Sequence, residues 1–189
     1  MKMPLDISSW SAIEVRVEFT TPFDPSVLAD GRGLPMVSLL DEIEANQPTP
    51  DGQALRALHG RIPYSSPLYW WEVVIDGVRS TKYIGQTVQL QIQRRLEQHG
   101  KVMRLLARYV NDPSATVFFR LCSRLDVRER ATDSWKALEW MVPTQAAEVV
   151  ADVESMLIFR HQPELNVQHK AHARTQAWKP ITIIDLVLR

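Results

Sequence analysis

The chain has 189 residues, of which 45% are hydrophobic and 23% charged, and this composition excludes disordered and collagen-like classes of protein. Its single cysteine, Cys122, excludes an internal disulfide and a multi-thiolate zinc site, and no apolar run approaches the ~18 residues of a membrane span. The formal net charge of zero, from 22 basic and 22 acidic residues, argues on average against a nucleic-acid partner.

Local patterns predict an α+β protein rather than a parallel βαβ series. Two β-rich runs joined by Asp76-Gly77 predict a hairpin, because a type I′ turn needs positive φ at both central residues. Pro143 is expected to break one helix and Thr144 to cap the next. The predicted elements are strands over 12–20, 116–122 and 181–188, the hairpin over 68–85, and helices over 36–45, 53–59, 88–99, 101–110, 126–141 and 144–160.

Charge is unevenly distributed along the chain. Residues 1–60 carry 4 basic and 9 acidic side chains, whereas residues 61–130 carry 12 basic and 6 acidic ones. Residues 131–189 carry 6 basic and 7 acidic side chains. The basic middle third is consistent with one surface that faces a polyanion, and equally with chance drift of charge along the sequence.

Two predicted helices carry charged residues on their apolar faces. Arg95 and His99 lie one turn apart on the apolar face of 88–99, so either this face opens onto a polar site or Arg95 pairs with a structural carboxylate. In 144–160, Glu154 lies within an apolar stripe and needs a cation, a metal or a proton. The opposite signs of these charges suggest a shared polar pocket.

Residues 66–168 resemble the GIY-YIG nuclease domain. Tyr83-Ile84-Gly85 matches the YIG tripeptide, and Pro67-Leu68-Tyr69 keeps the tyrosine of the GIY element but not its glycine. In the family a following helix carries an arginine, here Arg95, and in the restriction-enzyme branch a histidine, here His99. A later helix carries the metal-binding glutamate, followed by a proline and an asparagine, which correspond to Glu154, Pro163 and Asn166.

The resemblance implies a core formed by a small antiparallel sheet (the hairpin plus a third strand) flanked by helices, with N- and C-terminal strand additions. It divides the chain into an acidic extension over 1–60 that packs on the core, a nuclease domain over 61–168 with a helical insertion around 101–148, and a C-terminal tail and strand over 169–189. We also expect the strands over 12–20 and 181–188 to pair and brace the core.

The implied chemistry is phosphodiester hydrolysis with one Mg²⁺, or Mn²⁺, held by Glu154. By the same resemblance Tyr69 is the general base. A tyrosine with a pKa near 10 needs neighbours that stabilise its phenolate, and His99 and Lys82 are the candidates. The other implied roles are binding of the scissile phosphate by Arg95, orientation of the phosphate or water by Tyr83, and positioning of Glu154 or the backbone around it by Asn166.

The leading hypothesis is a cytoplasmic, metal-dependent DNA endonuclease of restriction or other bacterial defence type, with no membrane partner. The alternatives are a nonspecific toxin or repair nuclease, which could have an inhibitor or immunity protein, and a non-catalytic nucleic-acid-binding module. A homodimer, and RNA as a substrate, stay open. The candidate phosphate-contacting residues are Arg104, Arg108, Arg124, Arg128 and Arg130.

Simpler interpretations exist for several of these residues. The two tyrosines suit any β-strand, Lys82 could be a solvated hairpin charge, and Asn166 a turn residue. Three histidines of the C-terminal third could form a second metal site or could simply be exposed: His161, His169 and His172.

Overall fold

The computed structural model describes residues 3–19, 66–87, 108–109, 112–129, 134–174 and 179–188. The predicted helices over 36–45, 53–59 and 88–99 lie outside these residues. Of the predicted helix over 101–110, only Arg108 and Tyr109 are described, and both are helical.

The described residues form a mixed α+β structure. Its strands are β1 (Ile13–Phe19), β2 (Leu68–Ile75), β3 (Val78–Gln86), β4 (Ala115–Glu129), β5 (Lys136–Ala137) and β6 (Ile181–Leu188). One long helix, α1, spans Pro143–His161, and a short 3₁₀ turn spans Leu138–Trp140. The α+β class expected from the sequence is therefore confirmed.

The strands form one sheet in the order β3-β2-β4-β1-β6, with β5 pairing beside β4. Every pairing is antiparallel except that of β1 with β6, which is parallel. This contact confirms the expected pairing of the first and last strands. The 15-residue strand β4 joins the two parts of the sheet, because its residues 115–121 pair with β2 and its residues 122–129 pair with β1.

The hairpin of β2 and β3 turns at the predicted dipeptide. Asp76 has φ 51° and Gly77 has φ 78°, so both central residues adopt the left-handed backbone that the turn requires. The pairing of the two strands is regular from Leu68 opposite Gln86 to Trp71 opposite Tyr83, and it shifts by one residue at Lys82.

The prediction of a helix over 126–141 is wrong. Residues 126–129 continue β4, and the described residues after them form β5 and the 3₁₀ turn. The charged side chains of this segment pair across or along strands: Arg128 binds Glu14 of β1 at 2.7 Å, and Arg124 binds Asp126 at 2.6 Å. The helical insertion expected around 101–148 is therefore strand over 115–129.

The long helix is confirmed, but its start is not the predicted one. Pro143 occupies the first turn of α1 and Val142 is the N-cap, so the proline begins the helix instead of ending an earlier one. Proline is well suited to this position, because the first backbone N–H groups of a helix have no acceptor within the helix. Gln162, at φ 49°, closes the helix in the left-handed conformation.

Candidate active site

The two tyrosines of the candidate site stack on each other across the hairpin. The ring centroids of Tyr69 on β2 and Tyr83 on β3 are 5.9 Å apart at an interplanar angle of 29°, and both side chains are buried. Phe119 of β4 contacts Tyr69 from the neighbouring strand, with ring centroids 6.3 Å apart. The two tyrosines that carry the resemblance are thus in direct ring contact.

Gly85, the last residue of the YIG tripeptide, makes room for this pair. It lies directly opposite Tyr69 in the hairpin. A Cβ built at Gly85 would lie 2.7 Å from Cε1 of Tyr83 and closer still to the ring of Tyr69. Real Cβ atoms do not approach other heavy atoms this closely, so a larger residue would displace the rings. The glycine at this position is therefore required by the tyrosines.

Asn166 holds the backbone of the same tripeptide. Its Oδ1 accepts a hydrogen bond from the N–H of Ile84 at 3.0 Å, and its Nδ2 donates to the carbonyl oxygen of Ile84 at 2.8 Å. The N–H of Leu165 also donates to the carbonyl oxygen of Lys82 at 2.9 Å. Residues 165–166 thus bind the outer edge of β3. Asn166 is therefore not only a turn residue, because its side chain makes two hydrogen bonds to a strand distant in the sequence.

Lys82 is a buried cation at this edge. Its Nζ lies 2.6 Å from Oε2 of Glu164 and 5.4 Å from the ring centroid of Tyr109. Burial acts to lower the pKa of Lys82, but the hydrogen bonds to Glu164 and Tyr109 outweigh burial and raise this pKa above its ordinary value. Lys82 is consequently protonated at neutral pH, so it can supply positive charge but cannot accept a proton.

Glu154 lies on α1, half-buried among buried apolar neighbours. The apolar side of α1 shares one core with Leu68, Trp70 and Ile84. These three residues alternate along β2 and β3 with the motif tyrosines, and alternate residues of a strand point to opposite faces. The apolar side of α1 and the tyrosine pair therefore lie on opposite faces of the hairpin.

Besides Asp126, the sequence analysis missed two further buried carboxylates. Asp152 on α1 is buried, and its Oδ1 lies 3.7 Å from the guanidinium of Arg174. Glu72 on β2 is buried, and its Oε2 lies 2.9 Å from Nε of the buried Arg120 on β4. The sequence did contain a signal for the second pair. Glu72 and Arg120 each lie within an apolar strand, and a buried charge requires a partner of opposite sign.

The described residues contain no group of three or more His, Cys, Asp or Glu side chains that could hold a metal ion. His161 packs edge-on against Trp70, with ring centroids 4.7 Å apart, and burial lowers its pKa. A Mg²⁺ ion retains several waters and needs only one or two protein carboxylates beside phosphate oxygens. The donor chemistry of Glu154 alone is compatible with such an ion.

Three of the candidate phosphate contacts are described. The side chain of Arg108 is 69% exposed and its guanidinium lies 3.5 Å from Oε1 of Glu164. Arg124 is exposed but paired with Asp126, and Arg128 is paired with Glu14. Four further site residues predicted from the sequence lie outside the described part of the chain: Arg95, His99, Arg104 and Arg130.

These elements define an α+β protein whose mostly antiparallel sheet carries a packed tyrosine pair on one hairpin. Comparisons with protein-family models, curated proteins and solved structures give no match for the chain. Within the described residues, no helix is both long enough and apolar enough to cross a membrane.

Proposed function

We propose that this protein is a metal-dependent DNA endonuclease with a GIY-YIG-type core, acting in restriction or another form of bacterial defence. The observation that carries the proposal is the packing of the YIG tripeptide: Tyr83 stacks on Tyr69, Gly85 leaves space for both rings, and Asn166 binds the backbone of Ile84. Each residue of the tripeptide thus makes a contact, or leaves space for one, with another residue on which the resemblance depends.

The order of elements also supports the proposal. A hairpin is followed by a third antiparallel strand, β4, which pairs with the first strand of the hairpin. Helix α1, which carries Glu154, follows after β5 and the 3₁₀ turn and packs against β3. Asn166 follows this helix after Pro163, at the spacing that the resemblance requires.

In this proposal Tyr69 activates the attacking water and Glu154 holds one Mg²⁺ or Mn²⁺. The ion, when bound, supplies positive charge that polarises a phosphate oxygen. Tyr83 orients the phosphate or the water, Arg95 binds the scissile phosphate, and His99 is the candidate that stabilises the phenolate of Tyr69. Lys82 contributes a permanent positive charge at the edge of β3, which favours a nearby phosphate.

Cleavage of plasmid DNA tests the proposal. Supercoiled plasmid is incubated with the protein and Mg²⁺, and nicked, linear and smaller products are resolved on a gel. Glu154→Gln should abolish cleavage, and Tyr69→Phe, which removes only the phenol oxygen, should lower the rate by about 10²–10⁴-fold. Glu148→Gln is the matched control, because Glu148 lies on the same helix, where it is paired with Arg174, and has no role in the proposed site.

The form of the product separates the kinds of nuclease. Discrete fragments indicate a restriction enzyme, whereas a smear indicates a nonspecific toxin or repair nuclease. Undiminished cleavage by Glu154→Gln would contradict the assignment of Glu154, and cleavage that survives chelation of the metal would contradict the metal dependence.

A second candidate function is a non-catalytic nucleic-acid-binding module. The specific observation in its favour is that Tyr69 is fully buried, on the face of the hairpin opposite the apolar side of α1. A general base must reach the attacking water, so a buried tyrosine favours packing over catalysis. A gel shift of DNA without cleavage in Mg²⁺ or Mn²⁺ would identify this function.

A further inference from the structure

Three cations contact Glu164 at the outer edge of β3, two at its carboxylate and one at its backbone carbonyl oxygen. Oε2 of Glu164 lies 2.6 Å from Nζ of Lys82, and Oε1 lies 3.5 Å from the guanidinium of Arg108. Nζ of Lys170 donates to the backbone carbonyl oxygen of Glu164 at 3.3 Å. These three cations also act together to lower the pKa of Glu164, Lys82 most strongly through its hydrogen bond. The cluster carries an excess of positive charge over its single carboxylate.

Lys82 and Arg108 make contacts that do not depend on Glu164. Lys82 is part of β3, and its carbonyl oxygen is bound by the N–H of Leu165. The ring of Tyr109 lies beneath both Lys82 and Arg108, with its centroid 5.4 Å from Nζ of the former and 5.3 Å from Cζ of the latter. A cation over an aromatic face is attracted by the ring itself, so these contacts persist when the carboxylate moves away.

Glu164, in contrast, is only weakly held. Its side chain is 46% exposed, and ion pairs at this exposure contribute little to stability because water and salt screen them. Its two carboxylate oxygens contact two different cations. A phosphodiester presents two unesterified oxygens with a similar charge, so a phosphate can take the place of this carboxylate.

We propose that Lys82, Arg108 and Lys170 form a binding site for one backbone phosphate of DNA, which the carboxylate of Glu164 occupies in the free protein. This inference rests on the proposed function, because it takes DNA as the ligand. Lys82 directly precedes Tyr83 in the sequence, so a phosphate bound here anchors the strand beside the tyrosine pair. Glu164 then acts as a competitor that weakens binding of DNA.

Removing the negative charge of Glu164 tests the inference. The binding of a fluorescent 20-base-pair DNA duplex is measured by anisotropy without divalent metal, over a series of salt concentrations. Glu164→Gln should lower the Kd about 5-fold, because the site no longer has an internal anion. Arg108→Ala and Lys170→Ala should each raise the Kd and reduce the salt slope by about 1, since each removes a phosphate contact.

The control is Glu139→Gln, which removes an exposed carboxylate from the 3₁₀ turn and changes the net charge equally. The inference is overturned if Glu164→Gln tightens binding no more than this control does, or if Arg108→Ala and Lys170→Ala leave the salt slope unchanged. Urea unfolding of each variant shows that the fold is retained. If Glu164→Gln fails to fold, the salt slopes of Arg108→Ala and Lys170→Ala still test the inference.

Failure of this inference can be distinguished from failure of the proposed function. Tighter binding by Glu164→Gln, together with no cleavage by the unmodified protein in Mg²⁺ or Mn²⁺, supports the phosphate site and contradicts the nuclease. Cleavage of plasmid by the unmodified protein, with binding unaffected by Glu164→Gln, supports the nuclease and overturns the phosphate site.

Discussion

Replacing Gly85 by alanine tests whether the glycine of the YIG tripeptide is required for packing. In an open strand this change would stabilise the protein by about 0.5–1 kcal/mol, because alanine loses less backbone entropy on folding. Here the new methyl group would lie 2.7 Å from Cε1 of Tyr83 and closer still to the ring of Tyr69. The sign of the effect is therefore opposite to that expected for an unobstructed glycine.

The magnitude follows from the two rings. Forcing a methyl group into a packed site costs about 1–3 kcal/mol, and separating a stacked aromatic pair costs about 0.5–1.5 kcal/mol more. After subtraction of the entropic gain, these ranges predict that Gly85→Ala lowers the free energy of unfolding by about 0.5–4 kcal/mol, with a midpoint of about 2 kcal/mol. Urea unfolding measures this as a lower midpoint with an unchanged m-value.

Two further variants isolate the cause. Gly77→Ala is the control in the same hairpin, because Gly77 has φ 78° and a Cβ built there would have no non-neighbouring atom within 4 Å; its cost of about 1 kcal/mol is backbone strain alone. In a Tyr69→Leu background, the penalty of Gly85→Ala should fall below about 1 kcal/mol, whereas that of Gly77→Ala should not change. A Gly85→Ala penalty that is the same in both backgrounds would refute the steric explanation.

Three other predictions concern the stability or reactivity of individual residues. Asn166→Ala should lower the free energy of unfolding by about 2–3 kcal/mol, because it leaves two backbone groups of β3 without hydrogen-bond partners. Urea unfolding measures this change, and an effect under about 0.5 kcal/mol would show that water replaces the side chain. Burial raises the pKa of Cys122 to about 12, so its thiol should react with a disulfide reagent at pH 8 only after unfolding in urea, and fast reaction of the native protein would contradict this. Hydrogen bonds from Ser8 and Gln145 lower the pKa of Asp6 from 3.8 to about 2. The contribution of Asp6 to stability is therefore present above pH 3.8 and is lost as the pH falls toward 2. An NMR titration of the carboxyl group measures this pKa, and Asp6→Asn should remove this part of the pH dependence.

The elements that the sequence predicts correctly have strong local signals. Asp76-Gly77 determines the hairpin, because few dipeptides adopt positive φ at both positions. The alternation in β1 is matched by its burial, in which every second residue from Ile13 to Phe19 is buried. The apolar spacing of α1 is equally clear, so only its first turn is mispredicted.

The second half of β4 could not be predicted in this way, because its stabilising contacts are not local. Arg128 is bound by Glu14, which lies 114 residues away in the sequence, and both Arg16 and Arg128 lie 4.5 Å from the ring centroid of Trp135. A run of charges without visible partners resembles a solvated helix face. Only the pairing of β1 with β4 shows that these charges neutralise each other across a sheet.

The candidate site shows the same limit of local information. The spacing of Asn166 after Pro163 can be read from the sequence, but its two hydrogen bonds to Ile84 join residues 82 positions apart. Likewise, the cations Lys82, Arg108 and Lys170 come from three separate segments, and only the fold brings them around Glu164.

The two faces of the hairpin constrain any mechanism that uses both Tyr69 and Glu154. The tyrosine pair lies on one face, and the apolar side of α1 packs against the other. In the described sheet β3 is an edge strand, so a phosphate that meets residues from both faces must lie at the outer edge of β3. Lys82 is at this edge, buried and protonated, and Asn166 fixes the backbone beside it. Under the proposed function, the positive charge and the fixed backbone that favour phosphodiester hydrolysis are therefore expected at this edge, where the two faces meet.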